Sequence, residues 1–236
     1  NPKNKHVIFM CDRALLSCSV NVLNKKSICN LCRNKAIKGY KIFKKRNNNS
    51  ELVKISRKDL FNSKKTNLNP KIKKEILFGV HSTIGSQLRL DNMSLLNKRW
   101  KKIEQKMLKS SIFLFHYFNV YLMKNNINNF IIFNGRLSCA RPLVQSSIIN
   151  NVNYFLFDAA INGKVAMYSK NEMFHSISFE KRNALKTYVK FFKNSRSLAK
   201  DYMNYKINKI EVNDFAYTKN QKRKYLNPSI LKKQKP

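Results

Sequence analysis

The chain has 236 residues, of which 43% are hydrophobic, and its 48 basic and 12 acidic residues give a formal net charge of +36. The apolar content excludes wholesale disorder, and the length suffices for one large domain or two small ones. Because the chain has only 12 acidic residues, we do not expect a carboxylate-rich metal site.

The net charge is weaker evidence for a partner than its size suggests. Of the 48 basic residues, 37 are Lys and 11 are Arg, and the chain contains only five Gly and five Pro. This bias is typical of AT-rich coding sequence, which enriches Lys throughout a protein. Because Arg is the better fork for phosphates and base edges, we interpret the charge as background and expect no nucleic-acid partner. Peripheral contact with an anionic membrane is the alternative.

The first half of the chain predicts few regular elements. His6–Met10 is an apolar run that predicts a first strand, and Arg33–Arg46 has a helical tendency. Glu51–Pro70 predicts irregular structure with a short helix at best. Ile76–Phe78 predicts a second strand, which would lead into a loop of small residues at Gly79–Ser86.

Four of the five cysteines lie in the early segment, which we expect to be loop and short helix. Cys29 and Cys32 have the spacing of a metal knuckle, whereas six residues separate Cys11 from Cys18, which is not the usual spacing of a second one. We therefore expect free thiols and no cofactor, with a tetrahedral zinc site at these four residues as the alternative. Cys139 stands alone, and packing is its simplest role.

The second half alternates helices and strands. A long helix is predicted by one apolar stripe, followed by a break at Asn125–Asn129. The lysines and the arginine on its other face predict a solvated surface. The stripe consists of Leu96, Trp100, Ile103, Met107, Ser111 and Leu114. The later predictions are strand Phe130–Phe133, a helix opened by Arg141-Pro142, strands Tyr154–Phe157 and Lys164–Ser169, and helix Phe179–Lys193 with Leu185, Tyr188, Val189 and Phe192 inward.

Two apolar runs around one short helix predict a β-α-β unit. Phe130–Phe133 and Tyr154–Phe157 are continuous apolar runs, which is typical of strands buried on both faces of a parallel sheet. We therefore predict an α/β fold, a Rossmann-like parallel sheet flanked by helices, over residues 1–218. For residues 219–236 we predict a basic linker or a disordered tail.

Polar residues follow these strands where ligands bind in such sheets. Gly135 allows a sharp turn, Asn134 can bind hydroxyl groups, and Arg136 offers a planar five-donor fork. The helix starting near Arg141 would aim its amides at the same crevice, which suits a polyol or an anion. The alternative is a structural turn whose Arg pairs with a carboxylate.

Three residues are candidates for a catalytic base. Asp158 follows the second strand and is either a general base or an ion-pair partner of Arg136 or Arg141. His81 and His175 lie among small polar residues, and either could act near neutral pH or make structural hydrogen bonds.

We predict a cytoplasmic protein, with peripheral contact at the inner membrane face as an option. The best apolar stretch, Ile112–Met123, is too short to span a bilayer and is interrupted by His116 and Asn119. Val7–Met10 is too short for a secretory signal. Because the chain starts at Asn1 instead of Met, we expect a trimmed N-terminus.

At these residues the chain resembles the N-terminal half of bacterial capsule- and lipopolysaccharide-type glycosyltransferases with a GT-B fold. The resemblance spans about Val7 to Phe192, and each motif in it is short. The motifs are Phe133-Asn134-Gly135-Arg136, Ala140-Arg141-Pro142, a strand ending in Asp158 where the family usually has Glu, Phe174-His175-Ser176, Cys11-Asp12 with Cys18, Asn21, Cys29 and Cys32, and the segment Gly79–Arg89 that includes Ser82.

The resemblance implies an acceptor-binding domain of a metal-independent transferase. Its substrates would be a nucleotide-sugar donor and a glycan or lipid-linked acceptor. The substrate-binding candidates are Asn134, Gly135, Arg136, Arg141, Ser82, Arg89 and His175, and the catalytic candidates are Asp158 and His81. A separate domain would bind the donor nucleotide, so we expect the chain to be one part of a larger or split enzyme.

Two rival hypotheses remain from the sequence. The first is a basic, zinc-containing nucleic-acid-binding protein of ribosomal type, which predicts bound zinc and salt-dependent affinity for RNA. The second is a degenerate binding module without turnover.

Overall fold

The structure is a computed structural model that describes residues 5–62, 68–88, 92–159, 166–174 and 176–190, with short stretches at 196–197, 199–201 and 203–204. It is a mixed α/β fold with a small parallel sheet and a small mixed sheet. The chain divides into two compact units, Asn1–Leu156 and Phe157–Pro236, and the division falls within the fourth strand.

Helices dominate the first unit, and α2, α3 and α4 follow one another with no strand between them among the described residues. The strands are β1 (His6–Cys11), β2 (Ser50–Ile55), β3 (Asn129–Phe133), β4 (Asn153–Ala159) and β5 (Ala166–Lys170). The α-helices are α1 (Lys26–Arg46), α2 (Arg57–Asn62), α3 (Pro70–Leu88), α4 (Lys98–Lys124), α5 (Arg141–Ile149) and α6 (Ile177–Lys190), and a 3-10 turn covers Met93–Leu95.

The first sheet pairs β1 with β2 in parallel, and α1 is the crossover between them. The register places Phe9 opposite Val53, and Ile55 at the end of β2 is buried. Strand β1 confirms the first predicted strand. The prediction of irregular structure from Glu51 was wrong, because the exposed side chains of Glu51 and Lys54 interrupt the apolar pattern of a strand at the edge of the sheet.

The predicted second strand at Ile76–Phe78 and the loop after it were wrong, because both lie inside α3. Ile76, Val80 and Ile84 recur every fourth residue and are fully buried, which is the pattern of a helix face. Gly79 leaves room on this helix for α5, which approaches it closely. A Cβ atom at Gly79 would lie 2.7 Å from the Cβ atom of Arg141.

Helix α4 confirms the predicted long helix, and its apolar stripe packs against α3. Asn97 caps its start by accepting a hydrogen bond from the Trp100 N–H at 3.1 Å. One core cluster consists of Val80, Ile84, Leu96, Ile103 and Met107.

Strand β3 is present as predicted but is buried on one face only. The Ile132 side chain is 2% exposed, whereas Ile131 and Phe133 are 69% and 52% exposed. The expectation that this strand is covered on both faces was therefore wrong. In β4, which pairs with β3, Tyr154 and Leu156 are buried.

The second unit contains β5 and α6. Their bounds are close to those of the predicted strand Lys164–Ser169 and the predicted helix Phe179–Lys193. The described part of α6 ends at Lys190, and Leu185 and Val189 are 64% and 69% exposed. The prediction that these side chains face inward was wrong. Phe192 and residues 219–236 lie outside the described residues. Within the part of the chain that is described, no helix has the length and apolarity needed to span a membrane.

Candidate functional site

The turn after β3 is built on two left-handed residues. Asn134 has φ 61° and Gly135 has φ 76°, and Asn and Gly adopt this region at the lowest steric cost. The Gly135 N–H donates to the Phe133 carbonyl at 2.7 Å, and the Arg136 N–H donates to Asn134 Oδ1 at 3.1 Å. The buried Asn134 side chain therefore helps to close the turn that carries Arg136, and the predicted strand–turn–helix order is present.

The Arg136 guanidinium has few partners for its five donors. Its Nη2 donates to Ser86 Oγ at 3.5 Å, a long contact, and its buried Nε has no partner among the described residues. Ser86 Oγ itself donates to the Ser82 carbonyl at 2.7 Å within α3. No ion pair of Arg136 occurs in the described residues, so the terminal nitrogens retain hydrogen-bonding capacity for a ligand.

Arg141 differs from Arg136, because its charge is already paired. Its Nη2 forms an ion pair with Glu75 of α3, and its guanidinium lies over the Phe78 ring at 5.3 Å. Helices α3 and α5 also approach each other closely at Gly79, where an added Cβ atom would lie 2.7 Å from the Cβ atom of Arg141. Of the two arginines near β3, Arg141 is therefore the one that pairs with a carboxylate and holds α5 against α3.

The predicted catalytic residues have different surroundings. His81 Nε2 lies 2.6 Å from Glu104 Oε1, which joins α3 to α4. Asp158 lies within β4 and is half-buried, so it is part of the strand instead of following it. Arg89 and His175 lie outside the described residues.

Two adjacent serines of α4 connect the loop after β1 to the turn after β3. Ser110 Oγ accepts hydrogen bonds from the N–H groups of Leu16 and Ser17 at 2.9 and 3.3 Å. Ser111 Oγ donates to the Ser138 carbonyl at 2.9 Å. Both serines are buried, so each provides a hydrogen bond to backbone that water does not reach.

These serines were missed as functional support in the sequence, where Ser111 was assigned only to the apolar stripe. Thr83 was missed as well, and its Oγ1 accepts from the Ser138 N–H at 2.9 Å. The available signal was a small hydroxyl residue inside an apolar helical stripe. Such a hydroxyl can bond the carbonyl four residues earlier in its own helix, and here it also bonds the backbone of a segment packed against the helix.

The loop after β1 is held by polar contacts to α1. Asp12 pairs with Arg33 at 2.9 Å, and Arg13 donates to Asn30. The buried Asn21 side chain accepts from the Lys25 N–H at 2.9 Å and donates to the Lys25 carbonyl at 2.7 Å. The Asp12 and Arg13 side chains are therefore engaged within the protein.

The cysteines are not gathered into one metal site in the described structure. Cys11 and Cys32 are exposed, and no group of three or more His, Cys, Asp or Glu side chains that could hold a metal occurs among the described residues. Cys18 instead approaches Cys139. A hydrogen bond from Cys18 lowers the pKa of the Cys139 thiol to about 6 against the effect of burial, and the same contact, together with burial, raises the pKa of Cys18.

The fold and the site together define a mixed α/β protein with two polar segments at the carboxyl ends of β1 and β3. No family model, curated protein or solved structure matches this chain.

Proposed function

We propose that the chain is the acceptor-side half of a GT-B-type glycosyltransferase, a Rossmann-like domain that serves transfer of a sugar from a nucleotide-sugar to a surface-polysaccharide acceptor. The observation that carries the proposal is the Arg136 guanidinium. It follows an apolar strand on a left-handed turn, and its terminal nitrogens have one hydrogen bond, at 3.5 Å, within the described residues. The motif resemblance around Phe133–Pro142 supports the same function.

Arg136 binds the substrate in this proposal. A guanidinium presents parallel N–H donors that match a phosphate, a carboxylate or two neighbouring sugar hydroxyls. A half-buried position strengthens such hydrogen bonds, since the local dielectric is lower than in water. Asn134 and Gly135 position Arg136 through the turn, and Arg141 keeps α5 in place through Glu75.

His81 is the better supported candidate for the general base. Glu104 Oε1 lies 2.6 Å from His81 Nε2, and this contact fixes the orientation of the ring. The other ring nitrogen, Nδ1, is then the one that would accept the proton. Asp158 is the second candidate, and its side chain is one methylene shorter than the Glu usual in the family. In this proposal, the protein supports sugar transfer by positioning the substrates and by hydrogen bonding. A separate domain binds the donor nucleotide.

The test compares two arginine variants with the same charge change. Arg136→Gln removes the proposed ligand-binding fork, and Arg46→Gln removes an exposed Arg at the end of α1. We expect Arg136→Gln to lower binding of acidic and neutral bacterial glycans on a glycan array at least tenfold, and Arg46→Gln to leave it unchanged.

Two results would count against the proposal. One is equal glycan binding by the parent and Arg136→Gln proteins. The other is stoichiometric zinc together with RNA affinity that falls steeply with salt, which would favour the nucleic-acid hypothesis instead.

A further inference from the structure

A cleft of about 480 Å³ lies between the loop after β1 and the N-terminal half of α4. Its size is within the usual range for sites that bind small molecules. Four cationic side chains of α4 line it, namely Lys98, Arg99, Lys102 and Lys106. No acidic side chain is among the described residues that line the cleft.

The spacing of these residues explains why they share one wall. Lys98, Lys102 and Lys106 are four residues apart, so they form one stripe along the helix. Like charges at this spacing repel one another, by about 0.2–0.5 kcal/mol for each pair. The acidic residue in this part of α4, Glu104, faces His81 instead. An anion in the cleft would relieve the repulsion.

The cleft also has an apolar part, and its loop side is preformed. Leu16, Val22 and Leu23 of the loop line this part, and Ile103 of α4 adds to it. Ser17 Oγ donates to the Val22 carbonyl at 2.9 Å, and Ser110 accepts from the Leu16 N–H, so the loop has a defined conformation. A preformed wall reduces the entropy lost when a ligand binds.

The start of α4 adds a further positive field. Asn97 caps the helix, which continues for 27 residues, and the aligned peptide dipoles place partial positive charge at this end. Lys98 and Arg99 lie in the first turn, so their side chains and the helix terminus act on the same ligand. The cations of this helix face are exposed, as expected from the sequence, and four of them also line the cleft.

We propose that this cleft binds an organic diphosphate with an apolar substituent. The diphosphate lies against the four cations, and the apolar substituent lies against Leu16, Val22, Leu23 and Ile103. The site is separate from Arg136, and it stands whether or not the chain serves glycosyl transfer. If the chain does, the ligand class is that of a lipid-linked acceptor.

Calorimetric titrations with three probes test the ligand class. Geranyl diphosphate carries both features, inorganic pyrophosphate only the charge, and geraniol only the apolar chain. We expect geranyl diphosphate to bind at least fivefold more tightly than pyrophosphate, and geraniol not to bind. The only Trp in the chain, Trp100, lies in the first turn of α4, so its fluorescence provides a second readout. Equal affinity for the two diphosphates would overturn the apolar part of the proposal.

Matched double variants test the position of the site. Lys102→Gln with Lys106→Gln removes two cations that line the cleft. Lys101→Gln with Lys109→Gln removes two exposed cations of the same helix that do not line it. We expect the first pair to weaken geranyl diphosphate binding at least tenfold and the second to leave it unchanged, with equal helix content by circular dichroism.

The outcomes separate this proposal from diffuse attraction and from the proposed function. An equal loss in both double variants would show that only net charge matters, and it would overturn the site. A short RNA and a vesicle of acidic phospholipid are the two further probes. We expect that neither displaces geranyl diphosphate. If either probe binds the parent and both double variants equally, it binds elsewhere on the surface. Glycan binding by Arg136→Gln and geranyl diphosphate binding by the Lys102→Gln and Lys106→Gln double variant are separate measurements, so each proposal can fail without the other.

Discussion

The segments that follow β1 and β3 look alike in sequence but differ in how their arginines are used. Each comes after an apolar strand and passes through a left-handed residue, Arg13 with φ 57° and Asn134 with φ 61°. Arg13 donates to Asn30 of α1, and Asp12 next to it pairs with Arg33. The Arg136 guanidinium has one long hydrogen bond in the described residues. The same local pattern therefore produces a structural arginine in one place and a ligand-binding candidate in the other.

Helix α4 contacts both segments through neighbouring serines, so the two segments can be perturbed separately. Ser110 serves the loop after β1, and Ser111 serves the turn after β3. Substitutions beside one segment should change that segment more than the other, and three predictions use this expectation.

The largest effect is expected at Gly79, which supports the β3 side. Gly79→Ala places a Cβ atom 2.7 Å from Arg141 Cβ, which cannot rotate away, and we expect it to lower the free energy of unfolding by about 2–3 kcal/mol. Gly39→Ala is the matched control in α1, where a Cβ atom meets nothing within 4 Å. It should raise stability by about 1 kcal/mol, because Ala is the better helix former. Urea unfolding measures both, and a Gly79→Ala protein as stable as the parent would show that α3 and α5 can separate freely.

The two serines should give the next largest effects. Ser110→Ala leaves the N–H groups of Leu16 and Ser17 without their acceptor, and Ser111→Ala leaves the Ser138 carbonyl without its donor from α4. Each loss should cost about 1–2 kcal/mol. Hydrogen exchange measured by NMR should show faster exchange near residues 16–17 in the first variant and near residues 135–138 in the second. Equal changes at both places in both variants would mean that the two segments form one cooperative unit.

The smallest effect is expected at Asp59, beside the β1 segment. Asp59 accepts hydrogen bonds from the Ser56 N–H at 2.7 Å and the Ser56 hydroxyl at 2.8 Å, and these lower its pKa. Asp59→Asn should reduce stability by about 0.5–1 kcal/mol at neutral pH, as for the loss of a charged cap.

The pH dependence follows from the direction of this shift. A carboxylate with a lowered pKa stabilises the folded state above its unfolded value of about 3.9, and the contribution is lost as the pH falls through the folded value. The stability difference between the parent and Asp59→Asn proteins should therefore be constant above about pH 5 and shrink below about pH 4. Unfolding curves at several pH values measure it, with Asp201→Asn, an exposed control, expected to show little difference. A difference that grows on acidification would contradict the assigned hydrogen bonds.

The sequence by itself determined the elements that depend on neighbours in the chain. The apolar runs of β1, β3 and β4, the stripe of α4 and the Pro142 start of α5 follow from local periodicity and backbone preference. The left-handed turn at Asn134-Gly135 follows from the same short-range sterics. These features were predicted because no distant residue is needed to specify them.

Only the tertiary structure decided the rest, because those features depend on residues far apart in sequence. Gly79 leaves room for the close approach of Arg141 to α3, and Arg141 itself is paired with Glu75, 66 residues earlier. The exposed face of β3, the hydrogen bonds of Ser110 and Ser111, and the cleft beside α4 arise in the same way. Periodicity shows which side chains share a face, but a contact with a distant segment determines whether that face is covered, paired or open to a ligand.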